Sequence, residues 1–492
     1  MKVKRLSKEC WYPAVSSWGV NMPYDENFFH EELILKENQT PNQMTPLLLS
    51  NYGQCIYKKE GFKAKFEKDY ILVDDDCIVQ KLDNLKQAFK YCSENYFEKN
   101  EIAIADELKV GISYNTWMHA PIDITQEKTL DYAKKLLDLG LPPSTLIIDD
   151  KWSYNYGSLN FEKAKFKEPK KMIEELHNMG FKVMLWFCPF VSFKTYTYNL
   201  YYHNNWLLKE DNKPYKLKWW NETSACVDLR NEEAFNYLKN RMDRLINIGI
   251  DGFKMDGGDS LFYLKEHEPD KQSYLWSKLA SYFKYNEIRV DFNTPGMSIF
   301  ERLCDKKHSF GNGGIKDIVP ASLALGLGGH PFFATDMVGG GEVQDIRDKC
   351  ELQKDIFISH IQIGLLMPNI QFSILPDKVL GKDLYILKAL LNQRKEYEPY
   401  LNELAKISSK TKEPIVRLLE YEFPNQGFSH ITDMFMLGDK YLVVPITKKN
   451  ETSKEISLPK GSKWQFEECI YNGGEKIKID LVQEKLAVIK KI

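Results

Sequence analysis

The spacing of hydrophobic residues changes twice along the 492 residues of this chain. In residues 1–105 short apolar runs are broken by turn residues, which predicts a small N-terminal β-rich domain. In residues 106–395 runs of strand length alternate with longer stretches in which apolar residues recur at helical spacing. In residues 396–492 a helical stretch precedes short apolar runs and glycine turns at Gly438 and Gly473, which predicts a C-terminal β-sandwich.

In residues 106–395 the predicted strands and helices alternate, as they do in a barrel. Gly140, Gly180 and Gly249 lie where the C-terminal caps of predicted helices belong. Strands and helices that alternate over this length favour a (β/α)8 TIM barrel of the α/β class over a doubly wound sheet. The predicted strands are 110–117, 145–152, 182–191, 252–256, 288–292, 331–336 and 370–375, and the predicted helices are 126–139, 169–179, 232–248, 274–285, 315–325 and 347–366.

Composition and charge indicate which classes of binding partner to expect. Hydrophobic residues make up 43% of the chain and aromatic residues 13%, which supplies a large core and leaves rings for the walls of a pocket. The net charge of -2 gives no general attraction to nucleic acid or to an anionic membrane, so neither is expected as a partner. Neutral, hydroxylated substrates fit this charge better.

Targeting and metal signals are also missing from the sequence. The first ten residues are basic without the apolar run of a signal peptide, and no later stretch has the length of a membrane span. We therefore expect a cytoplasmic protein. The nine cysteines form no CxxC pair and the nine histidines no HxxxH pair. We expect no disulfide framework, no metal and no cofactor, and a homo-oligomer is left open.

Polar and aromatic side chains follow the predicted strands where each strand ends. One such cluster means little, because an Asp after a strand is often only the N-cap of the next helix. Six clusters at the same position predict a site, since barrel enzymes build their sites on that face. The candidate residues are Trp117, Asp149, Asp150, Trp186, Lys254, Asp256, Arg302, Asp305 and Asp336.

This mixture of side chains suits sugar chemistry. Carboxylates accept hydrogen bonds from hydroxyl groups, and tryptophans cover the apolar face of a sugar ring. Glycoside hydrolysis needs two further carboxylates, which Asp256 and Asp305 supply. Lys254 lies two residues before Asp256, on the same side of the strand, where its charge would keep Asp256 ionised.

Two other classes of function stay open on these residues. A lysine near the end of a barrel strand can form a Schiff base with a carbonyl substrate, so Lys254 would also serve an aldolase or related lyase. A sugar-binding protein that has lost catalysis is the third reading. The presence of both carboxylates argues against it.

Six segments resemble glycoside hydrolase family 31. Residues 145–157 (TLIIDDKWSYNYG) and 172–191 resemble the opening of the family's barrel, and 249–256 (GIDGFKMD) resembles its nucleophile strand. Residues 302–310 (RLCDKKHSF) and 326–340 resemble its acid/base and Asp-x-x-Gly-Gly segments. Residues 434–446 resemble its C-terminal sheet domain, so the resemblance covers most of the chain.

The resemblance implies an exo-acting, retaining α-glycosidase that acts on a small α-linked oligosaccharide or glycoside. It implies that Asp256 is the nucleophile and Asp305 the general acid/base. Residues Asp149, Asp150, Trp186, Lys254, Arg302 and Asp336 fall where family members bind sugar hydroxyls, and Trp117 joins them as an aromatic wall of the expected pocket.

The acid/base segment departs from the common α-glucosidases of this family. It reads Arg302-x-x-Asp305-Lys306 where they have Trp-x-Gly-Asp. This form is nearer the α-galactosidase-like branch, which includes the animal myogenesis-regulating glycosidase. We therefore expect an α-galactoside as substrate, with an α-glucoside or α-xyloside next. The Gln-Gln-Arg-Trp signature of the sulfoquinovosidases does not occur, and the N-terminal domain is shorter than usual for the family.

Overall fold

Eight parallel strands close into a barrel at the centre of the computed structural model, which describes residues 1–492. The barrel closes where β8 pairs with β1, with Phe372 beside Tyr114. The predicted (β/α)8 barrel is thus confirmed. We number the strands β1 (Gly111–Asn115), β2 (Thr145–Ile148), β3 (Lys182–Phe187), β4 (Gly252–Met255), β5 (Tyr285–Ile288), β6 (Glu301–Arg302), β7 (Phe333–Met337) and β8 (Asn369–Phe372).

Seven of these strands overlap predicted ranges, because strands of a parallel barrel are buried on both faces and read as apolar runs. The exception is β6, which consists of two charged residues, both fully buried, and carries no apolar signal. The prediction for β5 was three residues too late, since the alternating run 288–292 has a stronger strand pattern than Tyr285–Ile288.

Helices surround the barrel, and side chains cap the N-termini of two of them. The Thr125 side chain accepts from Lys128 N, and the Asn231 side chain accepts from Glu233 N and Ala234 N. No helix is both long and apolar enough to cross a membrane. The helices of this region are Asp106–Lys109, Gln126–Asp138, Pro169–Asn178, Glu232–Asn247, Pro269–Ala280, Ile315–Leu327, Val343–Arg347, Lys354–Gly364, Pro376–Leu380 and Leu384–Thr411.

The connection between β3 and β4 forms a small subdomain that the sequence did not predict. It contains the helix Tyr196–His203 and a three-stranded sheet of Phe190–Ser192, Thr223–Cys226 and Leu217–Lys218. A hairpin of Lys209–Glu210 and Lys213–Pro214 completes it. Side chains of this subdomain pack around Trp186, at the end of β3.

The N-terminal domain shares its core with the barrel. A single hydrophobic cluster of 119 buried residues runs from Val3 through the barrel, so this domain is not an independent folding unit. Its two four-stranded sheets are followed by the helix Leu85–Tyr96. The sheets consist of Lys2–Lys4, Tyr70–Val73, Phe62–Phe66 and Glu31–Leu35, and of Trp11–Val15, Met44–Ser50, Gln54–Tyr57 and Ile78–Lys81.

The C-terminal region is rich in β-strands, as expected. The helix Leu384–Thr411 runs through the predicted boundary at residue 395, and the first strand after it starts at Val416. A six-stranded sheet and a two-stranded sheet enclose a separate core of 15 buried residues. The strands are Val416–Arg417, Phe435–Leu437, Tyr441–Val443, Val488–Lys491, Lys463–Phe466 and Cys469–Asn472, and Ser453–Ser457 with Lys476–Asp480.

The closest backbone approach in the barrel predicts a stability effect. A Cβ atom at Gly252 would lie 1.7 Å from the carbonyl oxygen of Tyr285, so Gly252→Ala must push β4 and β5 apart. We expect a loss of about 1–3 kcal/mol or more, as for other overpacked sites, measured as a lower unfolding midpoint. The exposed Gly311, whose added Cβ meets only a side-chain atom at 3.9 Å, is the control, and Gly311→Ala should change little. Equal midpoints for the two variants would contradict this packing.

Candidate active site

A cavity of about 340 Å³ lies at the carboxyl ends of the barrel strands. This volume includes the open mouth of the cavity, so the enclosed space is smaller. Seven of the nine predicted site residues line it, and the other two, Arg302 and Asp336, do not. The lining residues are Trp117, Asp149, Asp150, Trp186, Trp220, Lys254, Asp256, Asp305, Met337 and Val343.

Asp256 follows β4 directly and presents its carboxylate to the cavity. Its Oδ1 accepts from Arg289 Nε at 2.9 Å and from Gly257 N at 2.8 Å, and its Oδ2 accepts from Trp186 Nε1 at 3.3 Å. Burial alone would raise the pKa of Asp256, but the charges of Arg289, Arg302 and Lys254 outweigh it and hold the pKa well below its ordinary value. Asp256 is therefore ionised at neutral pH.

Arg289 is the main functional candidate that the sequence reasoning missed. Its Nη1 and Nη2 donate to the two oxygens of Asp259 at 3.0 and 2.8 Å, while its Nε binds Asp256. One guanidinium thus holds both carboxylates of the Asp256-Gly-Gly-Asp259 segment. The signal was present, because Arg289 immediately follows β5, but the predicted strand 288–292 placed it inside a strand.

Asp305 lies in the irregular segment after β6, and 30% of its side chain is exposed. Arg302 Nη1 donates to its Oδ1 at 2.7 Å and to Asp336 Oδ1 at 2.6 Å. Arg302 and Asp336 are almost fully buried, at 1% and 0% exposure, and lie behind Asp305 rather than in the wall of the cavity. Burial raises the pKa of Asp336, and the charge of Arg302 opposes this shift.

Lys254 and Asp149 form a buried ion pair in the wall of the cavity. Lys254 Nζ donates to Asp149 Oδ2 at 2.7 Å, and Asn115 Nδ2 donates to the same oxygen at 2.8 Å. Burial would lower the pKa of Lys254, but the charge of Asp149 outweighs it and the pKa is raised. The lysine is thus a permanent ammonium that bonds to Asp149, while its charge also acts on Asp256.

Asp150 faces the same cavity from the segment after β2. Its Oδ2 accepts from the hydroxyl of Tyr156 and its Oδ1 from Lys151 N, both at 2.6 Å. Burial raises the pKa of Asp150 to about 6, although the Lys151 charge and these hydrogen bonds oppose the shift. Asp150 is therefore ionised at neutral pH and becomes protonated in mild acid.

Trp117, Trp186 and Trp220 form the aromatic side of the cavity. The ring of Trp117 meets that of Trp220 edge to face, with centroids 5.4 Å apart, and its Nε1 donates to Gly341 O at 3.0 Å. Trp186 stacks on Trp219, with the rings 7° from parallel. Trp219 and Trp220 come from the subdomain between β3 and β4, for which the sequence offered no periodic pattern.

One group of side chains has the spacing of metal ligands, and it does not line the cavity. It consists of Asp291, Glu301 and His330, all buried. The two ring nitrogens of His330 face different carboxylates, with Nδ1 3.4 Å from Glu301 Oε1 and Nε2 3.7 Å from Asp291 Oδ2. None of the three residues lines the cavity, so the group has no direct part in its chemistry.

The cavity has the chemistry expected for hydrolysis of a sugar acetal. It presents an ionised carboxylate on Asp256 and a second, partly exposed carboxyl group on Asp305. The buried acids Asp149 and Asp150 can accept hydrogen bonds from hydroxyl groups, and tryptophan rings can cover the apolar face of a sugar. Glycoside hydrolysis uses this combination.

Comparison with known proteins finds relatives that are named as glycosidases. Mouse (Mus musculus) myogenesis-regulating glycosidase is 28% identical over 394 residues, which are 76% of this chain and 55% of that protein. The α-xylosidase XylQ of Lactiplantibacillus pentosus is 21% identical over 457 residues, 85% of this chain and 58% of that protein. The chain thus spans little more than half the length of these two relatives.

The fold has close counterparts among solved structures. A Flavobacterium johnsoniae glycoside hydrolase family 31 dextranase complexed with glucose has a TM-score of 0.86 and 17% sequence identity. The match covers 100% of this chain and 66% of that one. At this identity the likeness shows the fold alone.

Two family models match the chain. The model of the glycosyl hydrolases family 31 TIM-barrel domain matches residues 103–295, which include Asp256. The model of the glycosyl hydrolase family 31 C-terminal domain matches residues 412–491. Asp305 and Asp336 lie between the two matches, which together cover more than half of the chain. With its barrel and its C-terminal sheets in the family's order, the chain belongs to glycoside hydrolase family 31.

Proposed function

We propose that this chain is an exo-acting, retaining α-glycosidase. Asp256 attacks the anomeric carbon of the terminal sugar while Asp305 protonates the departing glycosidic oxygen. Asp305 then removes a proton from water, which releases the sugar from Asp256 and restores both groups. The observation that carries this proposal is that the ionised Asp256 and the partly exposed Asp305 line one cavity.

The two carboxyl groups have environments that suit different roles. A nucleophile must be ionised, and Asp256 has a cation and a tryptophan N–H on its two oxygens. A general acid/base must exchange protons with substrate and water, and Asp305 is the more exposed of the two, at 30% against 21%. Its one ion pair, with Arg302, reaches it from behind the cavity wall.

The substrate that we propose is a terminal α-galactoside, with an α-glucoside or α-xyloside as the next candidates. The Arg302-x-x-Asp305-Lys306 segment favours the galactoside. The α-glucoside and the α-xyloside remain candidates because relatives of the chain are named α-glucosidase and α-xylosidase. The small cavity favours a single terminal ring and hence exo action, with a small oligosaccharide or glycoside as the whole substrate.

The state of Lys254 argues for a hydrolase over a Schiff-base lyase. A Schiff base needs a neutral amine that faces the carbonyl carbon of the substrate. The Lys254 ammonium is 4% exposed and bonds to Asp149 at 2.7 Å, and its pKa is raised, which is the opposite of what this chemistry needs. Lys254 instead fits a role in orienting Asp149 and in keeping Asp256 ionised.

A cytoplasmic location and a possible homo-oligomer remain predictions of the sequence. The nine cysteines, all present as free thiols, support a reducing compartment. Neither nucleic acid nor a membrane is proposed as a partner.

The two carboxylates should respond differently to substitution. Asp256→Ala should reduce hydrolysis of every substrate to background, because it removes the proposed nucleophile. Asp305→Ala should lower kcat/KM for alkyl α-glycosides by about 10²–10⁴-fold and spare nitrophenyl α-glycosides, whose leaving group needs little protonation. Release of nitrophenol or alcohol from α-galactosides, α-glucosides and α-xylosides measures both the sugar preference and the roles.

The control for these variants is Asp138→Ala, which removes an exposed carboxylate at the C-terminal end of the helix Gln126–Asp138, outside the residues that line the cavity. It should leave all rates unchanged. Equal losses for both kinds of substrate in Asp305→Ala would contradict the assigned acid. If the wild-type chain hydrolyses none of the three α-glycosides, the proposed substrates are wrong.

The pH dependence of kcat/KM should reflect Asp150. Because its pKa is raised to about 6, Asp150 loses its charge and one acceptor as the pH falls through 6, so sugar binding weakens on that side. We expect an acid limb near pH 6 in the wild type. Lys151→Met removes a charge that lowers this pKa and should move the limb to higher pH. Asp150→Asn should abolish the limb, and an unchanged limb in Asp150→Asn would contradict the assignment.

A further inference from the structure

A buried polar segment of the N-terminal domain, residues 38–43, lies against the ends of β5 and β6. Buried polar side chains are rare unless they are hydrogen-bonded. Four side chains of this segment, Asn38, Thr40, Asn42 and Gln43, are between 0% and 8% exposed. Neither family model matches this part of the chain, so its role must be read from its contacts.

The segment that carries Asp305 has no helix or strand of its own. β6 ends at Arg302, and the next regular element begins at Ile315. Asp305 is held through its two chain neighbours. Cys304 N donates to Asn42 Oδ1 at 2.7 Å, and Lys306 N donates to Asp336 Oδ2 at 2.7 Å.

The two side chains that accept these hydrogen bonds, on either side of Asp305, come from different domains. Asp336 belongs to the barrel strand β7, whereas Asn42 belongs to the N-terminal domain. Asn42 also donates from Nδ2 to Cys304 Sγ at 3.2 Å, so it contacts both the backbone and the side chain of the residue before Asp305. No other side chain bonds to the backbone N–H of Cys304.

Asn42 is itself held firmly, which a positioning residue requires. Its Nδ2 donates to Ser17 Oγ at 2.8 Å, and its backbone carbonyl accepts from Asn38 Nδ2 at 2.7 Å. Its side chain is 1% exposed. Water therefore cannot replace it easily, and its removal would leave the amide of Cys304 without an acceptor.

The neighbours of Asn42 bind the arginines of the site. Pro41 O accepts from Arg289 Nη1 at 2.7 Å, on the guanidinium that also binds Asp256. Gln43 Nε2 donates to Arg289 O at 2.8 Å and to Arg302 O at 3.0 Å. Three consecutive residues therefore contact the supports of both catalytic carboxylates.

We propose that Asn42 is a positioning residue for Asp305, so that the N-terminal domain is part of the catalytic apparatus. Asn42 does not touch the substrate. It fixes Cys304, and thereby the direction in which the Asp305 carboxyl group points into the cavity. This inference rests on the proposed role of Asp305 as general acid/base.

The test compares leaving groups in the full-length protein. A displaced general acid matters for alkyl glycosides and little for nitrophenyl glycosides. Asn42→Ala should therefore lower kcat/KM for an alkyl glycoside about 10-fold to 100-fold relative to the nitrophenyl glycoside of the same sugar. Partial unfolding lowers both rates by the same factor, so this ratio reports on positioning and not on stability. If Asn42→Ala does not fold, Asn42→Gln displaces the same amide by one methylene group and should change the ratio in the same direction.

Two variants serve as controls. Asn42→Asp keeps an oxygen acceptor for Cys304 N but loses both donations from Nδ2, so it should change the ratio less than Asn42→Ala does. Gln39→Ala changes an exposed residue of the same segment and should change nothing. In an Asp305→Ala background, Asn42→Ala should have almost no further effect on the ratio. Equal losses for both substrates, or a full additional loss in that background, would overturn the proposal.

A measurement without substrate separates this proposal from the proposed function. The thiol of Cys304 is partly buried under Asn42, whereas Cys350 and Cys469 are exposed. Asn42→Ala should speed alkylation of Cys304 by iodoacetamide severalfold, with Cys350 and Cys469 unchanged, as read by peptide mass spectrometry. An unchanged rate at Cys304 would overturn the proposal even if hydrolysis is observed. A faster rate in a protein that hydrolyses no glycoside would leave the contact of Asn42 with Cys304 in place and refute the proposed function.

Discussion

A carboxylate can be buried only when cations and hydrogen-bond donors compensate its charge, and this constraint shapes the whole site. Three cations do so at consecutive strands, with Lys254 on Asp149, Arg289 on Asp256 and Asp259, and Arg302 on Asp305 and Asp336. Loss of one partner of a buried pair costs about 3–5 kcal/mol, so the pairs fix where each carboxylate can lie. The cavity keeps its shape because the charges behind it cannot move apart.

The barrel alone does not complete the site. β6 is short and leads into an irregular segment, so Asp305 depends on Arg302 beside it and on hydrogen bonds to the residues on either side. The subdomain between β3 and β4 adds the Trp220 ring, and the N-terminal domain adds the contact of Asn42 with Cys304. A common core joins the N-terminal domain to the barrel, so that domain holds its contacts at a fixed distance from the strand ends.

The sequence predicted those parts of the fold whose physics is local. Seven barrel strands were predicted from apolar runs, and seven residues of the cavity wall from the polar and aromatic side chains at strand ends. β6 could not be found from apolarity, because Glu301 and Arg302 are buried as partners of Gln43 and Asp336 that lie far away in the chain. Arg289 was missed through a register error of three residues, and Trp220 because its position depends on how a long connection folds.

Trapping the sugar on the enzyme tests the assignment of Asp256 as nucleophile most directly. A fluorinated glycosyl fluoride of the preferred sugar has a good leaving group and an electron-poor ring, so the covalent intermediate forms faster than water releases it. The intact protein should gain the mass of one glycosyl unit, and peptide mapping should place that unit on Asp256. A label on any other residue, or turnover of the compound with no covalent adduct, would contradict the assignment of Asp256 as nucleophile.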